Sequence, residues 1–338
     1  MANSQFETEN ITMSLSINTN TSAMVALETL NATQTELSST ENAVSTGLKV
    51  STAADNPAAF GIAAQMSGNI SGQGAVNDGL SFASQVVSST TSAADQIISV
   101  LHNIQSAVTT LGDNQGSPTS IAGIGDEITN YLTQIDTIAR NATTNGVNLL
   151  SGGTSDGLSI TADSLNYVTG LQGDTATITG FNSLIAGDVT VNSSVLVKGS
   201  AGTTLTDALG LSTSGSAGQN PVSNVFTGSA GSQAIASTFN TGGTVNVSAM
   251  ISQVQQAITA MTDVTDRLGA NTQLLSSMST YGATVSDNLT AGVGALTDAD
   301  MSAESAKLTS LQTKQSLAIK SLTIANGQSQ NILSLFQS

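Results

Sequence analysis

The sequence predicts a mainly α-helical protein: long terminal coiled-coil helices, a helical shoulder domain, and a β-rich outer domain inserted in the middle. Three observations point there. Apolar residues recur at steps of three and four near both ends. Helical periodicity continues inward from each end, punctuated by Asn-Pro and Gly. Between about 150 and 245 the composition shifts to Gly, Ser, Thr and Asp, with valines alternating at period two.

Near the start, Ile17, Met24, Leu27, Leu30, Leu37, Val44 and Leu48 keep a helical rhythm. Leu30, Leu37 and Val44 stand seven apart, as in a heptad seam, and Glu28, Glu36 and Glu41 suit the solvent side. Asp55-Asn56-Pro57 reads as a helix start. Asn56 caps, and Pro57 fits the first turn, where its missing N–H costs nothing. The helix that follows carries Val86, Val87, Ile97, Ile98, Leu101, Ile104 and Val108, and ends in the stretch Gly112 to Gly116. Another covers about Ile121 to Arg140, with Ile128, Leu132, Ile135 and Ile138 on one side.

In the central segment, Val189-x-Val191 and Val195-x-Val197 alternate, and Ile160, Ile178 and Val245-x-Val247 sit in similar settings. Short strands between Gly and Asn turns are expected there. Val254, Ile258, Met261, Leu268, Leu275 and Leu289 mark a long helix from roughly 249 to 291. The last stripe reads Leu308, Leu311, Gln315, Ala318, Leu322, Ala325, Ser329, Ile332 and Phe336, with only Gln315 and Ser329 polar. A strict heptad stripe of this kind argues for a coiled-coil seam. At about 1.5 Å per residue, each terminal helix extends roughly 50 Å.

The expected division is therefore an N-terminal helix over 1–49, stem segments over 50–150 and 245–290, a β-rich outer domain over 151–244, and a C-terminal helix over 291–338. From the residues alone, two arrangements bury the terminal seams. One is an antiparallel hairpin within a molecule. The other sets the stripes against neighbouring copies, where each large aliphatic contributes roughly 1.5–3 kcal/mol. A contact between copies that does not close into a ring builds an open filament. The stripes are expected to bury little within one molecule, which points to self-assembly.

Composition narrows the function. Charged residues are 9% of the chain, too few for disorder driven by charge. Aromatics are 3% and Trp is absent, so small aliphatics must fill the core. The balance of 7 Lys+Arg against 23 Asp+Glu, net −16, excludes nucleic acid and anionic membrane surfaces as partners. The first 48 residues contain no Lys or Arg, unlike cationic targeting peptides, and no 18-residue apolar run is present.

No cofactor or metal is expected. Cysteine is absent and His102 is the only histidine, which leaves no zinc set or His-based triad. His102 reads as a satisfied structural residue. Asp298-x-Asp300-x-Ser302 hints at a calcium loop, but Ala303 and Thr309 stand where such a loop needs Gly and Glu. Helix capping is the better reading. The Gly clusters lack a Walker lysine and read as loops. Asn192-x-Ser194 is a chance match in a Ser/Thr-rich chain.

Several motifs resemble those of bacterial flagellins, in the alphaproteobacterial form. Ile17-Asn18-Thr19-Asn20 is similar to the family's INTN start, and 44–50, VSTGLKV, to LSSGLRI. The run 53–64, AADNPAAFGIAA, resembles SAKDDAAGLAIA, although Pro57 departs from it. Asn145 to Gly152, NGVNLLSG, resembles the FNGxxLLDG hairpin, and Arg267 to Asn271 the RLGA-x-N motif. Leu296 to Asp300, Ala325-Asn326-Gly327 and Ile332 to Phe336 match the closing segments.

The resemblance implies a structural subunit, not an enzyme, that polymerises with itself into an extracellular flagellar filament. It implies type III export without a cleaved signal, and an export chaperone, a filament cap and hook–filament junction proteins as partners. The polymerisation seam would comprise Ile17, Leu27, Leu30, Leu37 and Val44 with Leu308, Leu311, Ala318, Leu322, Ala325, Ile332 and Phe336. A helix motif that the family presents to vertebrate Toll-like receptors departs here. Leu101 and Ile104 remain, while Asn103, Gln105 and Ser106 replace its charged residues. Charge-assisted hydrogen bonds are lost, and receptor activation is expected to be weak or absent. The alternatives are the hook–filament junction protein and, from another class, an adhesin or glycan-binding protein acting through 151–244.

Overall fold

A computed structural model describes residues 20–150, 160–181, 190–191, 194–195, 205–211 and 247–336. They are mostly helical. Helix α1 spans Thr21–Thr46, α2 Pro57–Asp113 and α3 Pro118–Asn141. Strands β1 (Leu165–Val168) and β2 (Thr175–Ile178) pair antiparallel, as do β3 (Thr190–Val191) and β4 (Ser194–Val195). The short α4 (Leu205–Ala208) precedes the long α5 (Val247–Thr297) and α6 (Met301–Phe336).

The helix ends follow local chemistry. Asn20 Oδ1 accepts the Ala23 N–H at 3.1 Å, and Gly47, at φ 73°, closes α1 in the left-handed conformation that glycine adopts without strain. Asn56 Oδ1 accepts from Ala59 N at 3.1 Å, with Pro57 in the first turn of α2 as expected. Ser117 caps α3 ahead of Pro118. Asp300 Oδ1 receives the N–H groups of Ser302 and Ala303 at 2.9 and 3.2 Å, so the Asp-x-Asp segment caps α6. Threonines that would otherwise disfavour helices return their hydroxyls to the carbonyl one turn back, as Thr91 does to Val87 and Thr262 to Ile258.

The central segment differs from its expectation. Among the described residues it shows two short hairpins and one helical turn. Val189, Val197 and Val245 lie outside the described residues. Val247 does not continue a strand; it opens α5, half-buried where its side chain faces Gly112 of α2. A valine pair at spacing two suits a helix start as well as a strand, and packing on α2 decides the outcome.

The chain forms two compact units, 1–68 with 288–338, and 69–287. In the first, α1 and α6 run antiparallel. A bridge pairs Leu48 with Asp298, and the Lys49 and Val50 N–H groups both donate to Thr297 O. The Ala299 N–H donates back to Gly47 O, and at the far end Asn20 Nδ2 donates to Ala325 O at 2.8 Å. These bonds set the register of the pair.

The second unit holds the main core. Leu80, Ile97, Leu101, Ile104 and Leu111 of α2 are fully buried, with Ile128 and Ile135 of α3 and Val254, Met261 and Leu268 of α5. After α3 the chain turns tightly through Asn145 and Gly146, both at positive φ, where Thr144 and Val147 exchange backbone bonds. Asn148, fully buried, reaches back to the end of α3. Its Nδ2 donates to Ala139 O, Arg140 O and Thr143 Oγ1, and its Oδ1 accepts the Leu150 N–H. The segment 205–211 plugs the same core with Leu205, Leu209 and Leu211. Asp136 of α3 accepts from Thr206 N and Oγ1, and Gln253 of α5 donates to Leu209 O.

Candidate assembly surface

The terminal hairpin has a buried inner seam and, towards one end, exposed apolar side chains on its outside. On α6 the residues turned inward are Leu308, Leu311, Gln315, Ala318, Leu322 and Ala325, the stripe that the periodicity marks. Leu311 is 2% exposed, and Ala318 and Ala325 are buried with it. On α1, Leu30, Leu37 and Val44 face them, with Leu37 buried and the other two half-buried. The stripes thus meet within one molecule, and the expectation that they bury little of themselves there does not hold. The bonds around Leu48 and Asp298 bring the chain ends together as the hairpin arrangement requires.

The other named positions divide. Leu27 points outward, 48% exposed. Ile17 lies outside the described residues. Ile332 and Phe336 stand on the last turns of α6, and their side chains fall outside the described set. The alternate rungs of the α1 seam are Ala26, Thr33 and Thr40, all buried. A search for large apolar residues passes over them, although they stand three or four residues from Leu30 and Leu37. Thr40 is 1% exposed and its Oγ1 has no hydrogen-bond partner.

Outside the seam, large apolar side chains remain in solvent. Apart from Met301 at the start of α6, these are Met24, Val25 and Leu27 on α1 and Leu317, Ile319 and Ile324 on α6. Val25 is 62% and Ile324 71% exposed. Because Asn20 abuts Ala325, both sets lie towards the same end of the hairpin. Clustered exposed aliphatics of this kind mark a protein interface.

At the turn between α1 and α2, Asp55 Oδ2 collects the N–H and hydroxyl groups of Ser51 and Thr52. The Thr52 N–H, then that of Ser51, hold its carboxyl below the usual carboxylate range. Of the receptor-motif positions, Leu101 and Ile104 are core residues of α2, Gln105 is half-buried, and Asn103 and Ser106 are exposed. His102 is also exposed on α2 and not packed as a structural residue. Among the described residues no cluster of three metal-ligating side chains occurs, and no helix is long and apolar enough to cross a membrane.

Residues 17–155 match the family described as the bacterial flagellin N-terminal helical region, and 251–336 the bacterial flagellin C-terminal helical region. Flagellin C of Rhizobium meliloti (strain 1021) is 32% identical over 323 residues, 95% of this chain and 99% of that protein. A flagellin of Brucella melitensis biotype 1 is 31% identical over the same shares. Flagellin FljK of Caulobacter vibrioides is 30% identical over 322 residues, 95% of this chain and 98% of its own length.

Proposed function

We infer the function from family: the chain belongs to the bacterial flagellins, and it is a structural subunit that self-assembles into the extracellular flagellar filament for motility. Readings as a hook–filament junction protein or as an adhesin are not favoured beside relatives named flagellin along nearly the whole chain. The family is structural, and we propose that the chain has no catalytic activity.

One observation carries the mode of assembly: the hairpin is filled inside yet keeps Met24, Val25, Leu27, Leu317, Ile319 and Ile324 in solvent. Burying each against a neighbouring copy contributes roughly 1.5–3 kcal/mol. The seam residues Leu30, Leu37, Val44, Leu308, Leu311, Ala318, Leu322 and Ala325 serve polymerisation by building the hairpin that presents this face. Ile17, Ile332 and Phe336 extend the seam in this reading.

The terminal segments 1–49 and 291–338 line the filament, 50–150 and 245–290 form its stem, and 151–244 forms the β-rich outer part. An export chaperone, a filament cap and junction proteins are its partners. Toll-like receptor activation is weak or absent, because Asn103, Gln105 and Ser106 offer no charge at the motif. A cell reporter answering at the potency of an enteric flagellin would refute that part.

The filament role is tested by adding purified full-length chain, or a chain lacking 308–338, to short filament seeds under the electron microscope. Long filaments are expected from the full-length chain only. A full-length chain that stays monomeric on competent seeds overturns the role.

A further inference from the structure

We propose that copies of this chain meet through opposite charge, the acidic helix α1 of one copy lying against the basic helix α6 of another. The inference rests on the filament reading above and specifies its contact.

Cations are scarce in this chain, 7 Lys+Arg against 23 Asp+Glu. Three of the seven, Lys307, Lys314 and Lys320, stand exposed on α6, whose only acid is Glu304, so the helix carries +3 − 1 = +2. Helix α1 holds Glu28, Glu36 and Glu41, all exposed, and no cation, so it carries −3. The other long helices, α2, α3 and α5, are each net negative. The one basic helix is therefore packed beside a purely acidic one.

Their charges nevertheless do not satisfy one another within the chain. Among the described residues none of the three glutamates forms an ion pair with any of the three lysines, whereas Arg267 holds Asp263 at 2.8 Å. Both charged sets remain on the outside of the hairpin. One member of each borders the apolar patch: Glu28 stands three and four residues from Val25 and Met24, and Lys320 three and four from Leu317 and Ile324, spacings that share a helix side. Covering that patch with a second copy carries these charges into or beside the contact.

Copies at net −16 repel one another at long range, and a basic helix set against an acidic one supplies local attraction. Charge complementarity of this kind sets encounter rate and register more than it sets affinity. The outer face thus combines a non-directional apolar contact with a directional electrostatic one.

The test uses two full-length variants, E28K/E36K/E41K and K307E/K314E/K320E. The first has both helices basic, the second both acidic. With short wild-type seeds, each alone is expected to elongate at least about tenfold more slowly than wild type, because like charges meet. An equimolar mixture is expected to recover to within about threefold of the wild-type rate, since each chain offers what the other lacks.

Mixing cannot restore a pair inside one molecule, so recovery assigns the contact to neighbouring copies. Either variant elongating alone at the wild-type rate overturns the proposal. So does a mixture no faster than its components, or a loss of helicity in the monomeric variants. Failure of the wild-type chain to elongate overturns the filament reading itself.

Discussion

Replacing Asn148 with Ala should destabilise the 69–287 unit more than any exposed substitution in the turn around it. Asn148 is 0% exposed. Its Nδ2 lies 2.8 Å from Ala139 O, 2.9 Å from Thr143 Oγ1 and 3.2 Å from Arg140 O, and the Leu150 N–H is 2.9 Å from its Oδ1. Ala139 and Leu150 are themselves 1% and 0% exposed. Truncation strands at least a buried carbonyl and a buried N–H, each costing about 1–3 kcal/mol. Their sum is about 2–6 kcal/mol. For a unit of this size each kcal/mol shifts the melting temperature by about 2–4 °C.

Calorimetry of the full-length monomer is the assay. Asn148→Asp separates the contributions: it keeps an acceptor for Leu150 but turns a second oxygen towards the α3 carbonyls, and should be at least as damaging as Ala. A loss below about 1 kcal/mol for Asn148→Ala would contradict this role of the side chain. It would mean that water replaces the amide or that the end of α3 relaxes at no cost.

Thr40→Val should stabilise the α1–α6 hairpin by about 1 kcal/mol, since it removes a buried hydroxyl that has no partner; a lower denaturant midpoint would contradict this. Leu311→Ala, at the most buried aliphatic of the seam, should cost about 2–5 kcal/mol. Amide exchange in α1 should then quicken while that of 69–287 stays unchanged, and an unchanged α1 would place its partner elsewhere. Asp55 gives a pH dependence. Its folded-state pKa lies below the usual 3.8, so its contribution is present above pH 3.8 and is lost as pH falls through the folded value. Exchange in 50–60, corrected for intrinsic rate, should rise below about pH 4. In Asp55→Asn it should be raised already at neutral pH, and a variant matching wild type there would remove the carboxylate from the account. Asp136→Ala frees both Thr206 bonds, and proteolysis near 205–211 should accelerate; an unchanged rate would mean that the three leucines hold the segment unaided.

The intramolecular seam changes how mutations at the chain ends are understood. A charge at Leu322 enters the hairpin of its own molecule, where it is half-buried against α1, and it disrupts elongation by opening that hairpin. A polar residue at Ile324 leaves the hairpin closed and removes apolar area from the outer face. Monomer stability and elongation should therefore separate cleanly between these two positions, which stand two residues apart on α6.

Much of the protein is readable locally. The heptad of Leu308, Leu311, Ala318, Leu322 and Ala325, the Asn56-Pro57 start of α2, the Asp300 cap and the Asn145-Gly146 turn all depend on residues within a few positions of one another, and sequence alone determined them. Periodicity shows which side of a helix stays dry. It does not show what keeps it dry; that α1 and α6 of one chain cover each other emerges only from the folded contacts. The small rungs Ala26, Thr33 and Thr40 are buried by that partner and not by their own hydrophobicity, so composition gave no sign of them. The same holds in the Ser- and Gly-rich centre. There Leu205, Leu209 and Leu211 become core residues because Asp136 and Gln253, each more than 40 positions away, hold their segment in place.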